Sequence, residues 1–149
     1  MKTSLLSRCA IVSFGVLLTV TGCATHKTGT ADARSPMIVS NSTWRLTQLA
    51  EEPVVTPANG RDVQFTLDYS NRKIAGDAGC NRFFGRYEMN GDAIRFSDIG
   101  STKMFCDGRM DVEQGFLAML GEAASWKISD KTLQLFDASG KALATFKGP

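Results

Sequence analysis

Tyr87-Glu88-Met89-Asn90-Gly91-Asp92-Ala93-Ile94-Arg95-Phe96 decides the fold class, because it sets two alternating segments on either side of an Asn-Gly pair. Successive side chains of a strand face opposite sides, so apolar residues at every second position mark a strand with one buried face. Asn and Gly tolerate the positive φ of a type I′ turn, which makes Asn90-Gly91 the strongest hairpin signal in the chain. The same period of two recurs outward from it, in Trp44-Arg45-Leu46, Val63-Gln64-Phe65-Thr66-Leu67, Trp126-Lys127-Ile128 and Thr132-Leu133-Gln134-Leu135. Asp68 to Asn71, Ser129 to Lys131 and Asp137 to Lys141 are rich in turn formers and lie beside these segments. The expectation is a mainly β (α+β) fold of about eight short antiparallel strands.

One segment breaks the alternation. Val112, Phe116, Met119, Leu120 and Ala123 fall at i, i+4, i+7, i+8 and i+11, on one face of a helix that should cover one opening of the sheet. Asp107 is expected to cap its start and Gly121 to help end it, with Asp111 and Glu113 near the first turn complementing the helix dipole. The stripe reads as core. Met110, Phe116 and Met119, adaptable or bulky, leave room for a small lipid-accepting cavity beneath the helix.

The amino-terminal stretch fixes an expected compartment. Lys2 and Arg8 precede Cys9 to Thr21, an apolar run of 13 residues, and Val20-Thr21-Gly22-Cys23 closes it. That run suits a secretory h-region and is short of the roughly 20 residues that span a bilayer. The small residues Thr21 and Gly22 before a cysteine read as a lipoprotein processing site, with Cys23 lipidated and residues 1–22 removed. Two or three acyl chains hold a protein on a membrane where one binds marginally. Ala24 stands where an aspartate would retain many lipoproteins in the inner membrane. By resemblance to that sorting rule the expected location is the bacterial outer membrane, facing the periplasm.

Residues 23–41 are the lipidated cysteine and a tether rich in Thr, Ala, Ser, Gly and Lys, and residues 42–149 are one folded domain. Losing Lys2 and Arg8 leaves fifteen basic and fifteen acidic residues, so no basic field favours nucleic acid as a partner. With Cys9 discarded and Cys23 acylated, Cys80 and Cys106 remain in the domain. Two thiols in an oxidising compartment suggest one disulfide, with two free buried cysteines as the alternative.

The residues offer little chemistry. The single histidine, His26, lies in the tether, which excludes His-based triads and His-led zinc sites from the domain. Cys80 and Cys106 are not a Cys-x-x-Cys pair, and no phosphate loop or calcium loop is present. Asp77 with Asp98, or Asp107 with Asp111, are conceivable carboxylate pairs that solvated turn and cap roles explain better. No catalytic residue, metal or cofactor is expected. Asn81 and Arg82 read as structural, or as a polar recognition patch. Lys103 reads as a cation guarding a strand edge, and Phe83, Phe84, Phe96 and Phe105 read mainly as core, although the adjacent Phe83 and Phe84 must point to opposite faces, leaving one ring exposed or covered by a partner or the tether.

Gly76-Asp77-Ala78-Gly79-Cys80-Asn81-Arg82-Phe83-Phe84-Gly85-Arg86-Tyr87, then Ser101-Thr102-Lys103-Met104-Phe105-Cys106, then the helix with Glu113 to Leu120, resembles the META domain, or HslJ-like heat-shock lipoprotein, family over residues 42–149. The motif residues are Gly79, Cys80, Asn81, Arg82, Phe83, Ser101, Thr102, Lys103 and Met104. The resemblance implies a small antiparallel sheet curled into an incomplete barrel with one helix, similar to pilotin lipoproteins. It also implies heat-inducible envelope lipoproteins, some tied to tolerance of aminocoumarin antibiotics, and no established catalytic residues. The expected function is a non-enzymatic binding module that meets an unknown envelope protein. A carrier or sensor of a small hydrophobic ligand, and an inhibitor or assembly factor for a periplasmic protease or secretion complex, are the alternatives.

Overall fold

A computed structural model describes residues 39–149 except Asn59. The expected signal peptide, Cys23 and most of the expected tether lie outside the described residues. Nine antiparallel strands, β1 (Thr43–Leu49), β2 (Glu52–Pro53), β3 (Val63–Asp68), β4 (Lys73–Ala78), β5 (Arg82–Asn90), β6 (Ala93–Ser101), β7 (Ser125–Ser129), β8 (Thr132–Phe136) and β9 (Ala142–Lys147), accompany a helix α1 (Met110–Glu122). The strands pair in the order β2-β1-β3-β4-β5-β6-β7-β8-β9, and β1 also pairs β9, so the sheet curls into a ring. Its weak seam is β6–β7, joined in register only at Ala93 and Ser125. The result is the curled, incomplete barrel with one helix that the family resemblance implies.

The period of two is obeyed where it was read. Phe65 and Leu67 of β3, Phe83 and Tyr87 of β5, and Leu133 and Leu135 of β8 are buried, while their neighbours face outward. Helix α1 packs Phe116, Met119 and Leu120 into the ring. Phe116 meets Phe83 and Phe146 edge-on, with centroids 5.2 and 6.4 Å apart, and Phe146 meets Phe65 at 5.0 Å. Edge-to-face contact suits the quadrupoles of the rings, so one aromatic stack joins helix to sheet.

Several expectations are corrected. The β5–β6 loop is Gly91-Asp92, since Asn90 already pairs Ala93, and of its two residues only Gly91 has positive φ. Positive φ at the first central position alone is the requirement of a type II′ turn, not type I′. Arg109, not Asp107, occupies the N-cap of α1, and no side chain caps it. Gly121 lies within the helix, which Ala123 closes by donating its backbone N–H to Met119. There are nine strands because Glu52–Pro53 forms a two-residue edge pair with β1. The folded domain also begins before residue 42: Val39 is 0% exposed and its carbonyl accepts the Trp44 indole N–H at 2.7 Å. Among the described residues, no helix is long and apolar enough to cross a membrane.

Alternate connections fall at alternate ends of the ring. One end carries the β3–β4 turn, the Gly91-Asp92 loop and the point where the chain enters at Val39, near which the Ser40 hydroxyl lies 3.4 Å from the Tyr87 hydroxyl. The other carries residues 79–81 and the stretch 102–109 that leads into α1. The two ends differ in chemistry.

Candidate functional site

Backbone geometry brings the Gly-Cys-Asn and Ser-Thr-Lys-Met blocks together at the second end. Gly76 lets β3 and β4 close, because a Cβ there would stand 2.0 Å from the Gln64 carbonyl oxygen. Gly79 then reverses the chain at φ +103, where a side chain would be strained and would also meet the Arg109 guanidinium. Asn81, 1% exposed, follows in the β4–β5 turn, immediately before β5.

The Asn81 amide uses every hydrogen-bonding position it has. Its Oδ1 accepts from the Met104 backbone N–H at 2.7 Å and from the Thr102 hydroxyl at 2.8 Å. Its Nδ2 donates to the Met104 carbonyl at 2.9 Å and to Glu113 Oε1 at 2.9 Å. With two donors and two lone pairs satisfied, the amide pairs with Met104 as a neighbouring strand would, extending the β5–β6 ladder past its last residue. The Asn81 backbone N–H donates to Glu113 Oε2 at 2.8 Å, so the helix is tied to the same point. A disulfide joins Cys80 to Cys106, with Cα atoms 5.8 Å apart, and closes the loop on the other side.

An arginine pair supports this clamp from outside. Arg61 donates Nη2 to the Cys80 carbonyl at 2.6 Å and Nη1 to Asp77 Oδ2 at 2.9 Å, while Asp77 Oδ1 accepts from the Gly79 N–H at 2.9 Å. Arg109, largely buried, donates Nη2 to the Arg61 carbonyl at 2.9 Å. Both buried carboxylates, Asp77 and Glu113, are thus occupied at both oxygens. Among the described residues no three of His, Cys, Asp and Glu are grouped to hold a metal ion.

A family model for the META domain matches residues 37–149. The chain belongs to the META domain family. Solved structures share the fold of this META domain. An NMR structure of a protein from Burkholderia xenovorans has a TM-score of 0.63 at 23% identity, covering 77% of this chain and 86% of that one. A second NMR structure has a TM-score of 0.60 at 21% identity, covering 75% and 92%. A crystal structure of a duf4847 family protein from Bacteroides vulgatus has a TM-score of 0.53 at 14% identity, covering 76% and 96%. These likenesses are of fold. None of the curated proteins compared with the chain matches it.

Within the META domain the motif residues divide into two sets. Gly79, Cys80, Asn81 and Thr102, with the Met104 backbone, build the clamp, and Phe83 joins the core, so the structural reading of Asn81 holds. Ser101 ends β6 opposite Phe83. Arg82 and Lys103 face solvent, and Lys103 lies in the loop after β6 instead of on a strand edge. Phe83 and Phe84 take opposite faces as expected, with Phe84 61% exposed. Phe96 is buried, but Phe105, expected in the core, is exposed because it lies in the loop outside the ring between Met104 and the disulfide. Asp77 and Asp98 do not form a pair, since Arg61 engages Asp77 and Asp98 sits in a β6 bulge between the partners of Phe84 and Arg86. Asp107 and Asp111 are both exposed, in the loop before the helix and in its first turn.

Arg61, Arg109 and the buried role of Glu113 are additions that the sequence reading missed. Glu113 carried a signal: it lies three residues before Phe116 and seven before Leu120, on the buried face of α1. Arg61 and Arg109 carried none, because their partners, the Cys80 carbonyl and Asp77 carboxylate for Arg61 and the Arg61 carbonyl for Arg109, lie far away in the sequence and meet them only in the fold.

Proposed function

We propose that this META domain protein is a lipid-anchored envelope lipoprotein of the HslJ-like kind, held at the outer membrane and facing the periplasm, which acts by contact and not by turnover during envelope stress and antibiotic tolerance. The observation that carries this reading is the division of labour at the clamp. The Asn81 amide and the Asp77 and Glu113 carboxylates are spent on one another, on Arg61 and on backbone groups, while Met104 and Phe105, held between the two ties, stand 53% and 81% exposed. Groups consumed in a closed hydrogen-bond network are not available to reacting atoms, whereas rigidly presented apolar side chains suit recognition.

Two features support the compartment. The Val20-Thr21-Gly22-Cys23 stretch has the pattern of a lipoprotein processing site, and a disulfide suits an oxidising environment. Against the carrier reading, Trp44, Phe65, Phe83, Tyr87, Phe116 and Phe146 fill the ring interior and are almost wholly buried.

Membrane fractionation of cells producing the full chain and its Cys23→Ser variant tests the anchor. Wild-type protein should partition with the outer membrane and the variant should be released or mislocalised. Unchanged retention of the variant in that fraction would contradict the reading.

A further inference from the structure

The second end of the ring displays large apolar side chains, Met104 and Phe105, in a segment that is firmly held. Lys103-Met104-Phe105 lies between Thr102, bonded to Asn81 and to the Arg82 carbonyl, and Cys106, bonded to Cys80. Next to it, Arg82 and Phe84 share the outer face of β5, and the Phe84 ring lies over Gly100. Lys103 and Arg82 therefore flank the apolar side chains with positive charge, and Arg86 continues the row on β5, in register with Lys73. Asp107 is the acidic residue that follows the disulfide, and Asp77 is already engaged by Arg61.

The chain enters the domain at the opposite end. Ser40 touches Tyr87, whose hydroxyl also donates to the Asp68 carbonyl, and from Tyr87 back to Arg82 β5 spans about 17 Å. On the lipid-anchor reading, on which this inference rests, the membrane attachment reaches the domain at Val39 and the Phe105 loop is the distal end. With the anchor end turned to the bilayer, that loop points away from it.

We infer that Lys103-Met104-Phe105, with Arg82 and Phe84, is the docking surface for an envelope protein that offers an apolar pocket rimmed by carboxylates. Phe105 and Met104 fill the pocket, and Lys103 and Arg82 pair with its rim. Because the disulfide and Asn81 already fix the loop, little further ordering is lost on binding. Rim charges of this kind mainly steer association and reject wrong partners.

The test places the photo-reactive residue benzoyl-phenylalanine at Phe105, or at Tyr69 on the opposite end, in the full chain in its native host. Irradiation should give a discrete protein adduct from position 105 and none from 69. The paired substitution Lys103→Glu and Arg82→Glu should cut that adduct about tenfold, as expected when two favourable charge contacts become repulsive. Reversing a carboxylate of the identified partner to lysine should restore it. An adduct only to a second copy of this chain, an adduct only to lipid, equal protein adducts from both positions, insensitivity to the charge reversal, or no adduct at all would each overturn the inference. Acylation of Cys23 is read separately by mass in the same sample. An unacylated chain that still cross-links through position 105 would sink the anchor and leave the surface standing.

Discussion

Asn81 and Glu113, 32 positions apart, hold each other through two hydrogen bonds, one from the Asn81 backbone N–H and one from its side-chain amide. This pair joins the β4–β5 turn to the first turn of α1, and the other half of the same amide holds the loop at Met104. The buried centre of the motif end is thus one asparagine.

Asn81→Asp should be among the most damaging single changes to the domain. It removes both amide donors and sets a second carboxylate against Glu113, at a cost of about 3–5 kcal/mol for an uncompensated buried charge. The deficit should shrink in acid, because a proton shared between the two carboxylates relieves their repulsion. Glu113→Gln keeps one acceptor and loses the other, and should cost about 1–3 kcal/mol. Urea unfolding of the three proteins at neutral and acidic pH checks both statements.

Removing the disulfide should loosen the loop that carries Phe105. Closing a loop between positions 26 apart restricts the unfolded chain by about 3.5 kcal/mol in the entropy model. Cys80→Ser or Cys106→Ser should therefore lower stability by about 2–5 kcal/mol. A melting temperature equal to that of the wild type would refute a stabilising bridge.

Two glycine changes should have opposite signs. Gly76→Ala drives a methyl group toward the Gln64 carbonyl and should destabilise the domain by about 3 kcal/mol, the upper range for overpacking. Gly121→Ala meets nothing within 4 Å and lies in a helix, so it should add about 0.5–1 kcal/mol. Thermal melts of the two variants would separate close strand approach from simple helix propensity.

Two turns should respond to acid. The Asn71 side chain, with the backbone N–H groups of Asn71 and Ser70, holds the Asp68 carboxyl below the ordinary aspartate value. The Ser139 hydroxyl and the N–H groups of Lys141 and Ser139 do the same for Asp137. A carboxyl with a lowered folded-state pKa stabilises fully above its unfolded value of about 3.9, and that contribution disappears as pH falls through the lowered value. Asp68→Asn should therefore flatten the acid limb of the stability curve without altering its shape near neutrality. Carboxyl titration by NMR should give midpoints below the ordinary value for both groups.

The strand pattern was legible in the sequence because a sheet with one buried face must alternate, as Val63 to Leu67 and Thr132 to Leu135 do. The helix was legible for the same reason at a different period. Its start was not, because Asp107 has the chemistry of a cap but precedes two turn residues, and Arg109 takes the position without capping it. The strand β4, Lys73–Ala78, was concealed by Ala75, Gly76 and Ala78, whose smallness serves close packing and reads as loop composition. The clamp was half legible: the residue types were visible as motifs, but the pairing of Asn81 with Met104 and Glu113 arises only when the ring closes.

The most direct test of the whole account is the intact mass of the mature amino-terminal peptide from protein purified out of its native host. The account predicts that Cys23 is the first residue and that it carries a diacylglycerol thioether. An unmodified Cys23, or a chain that retains residues 1–22, would contradict it.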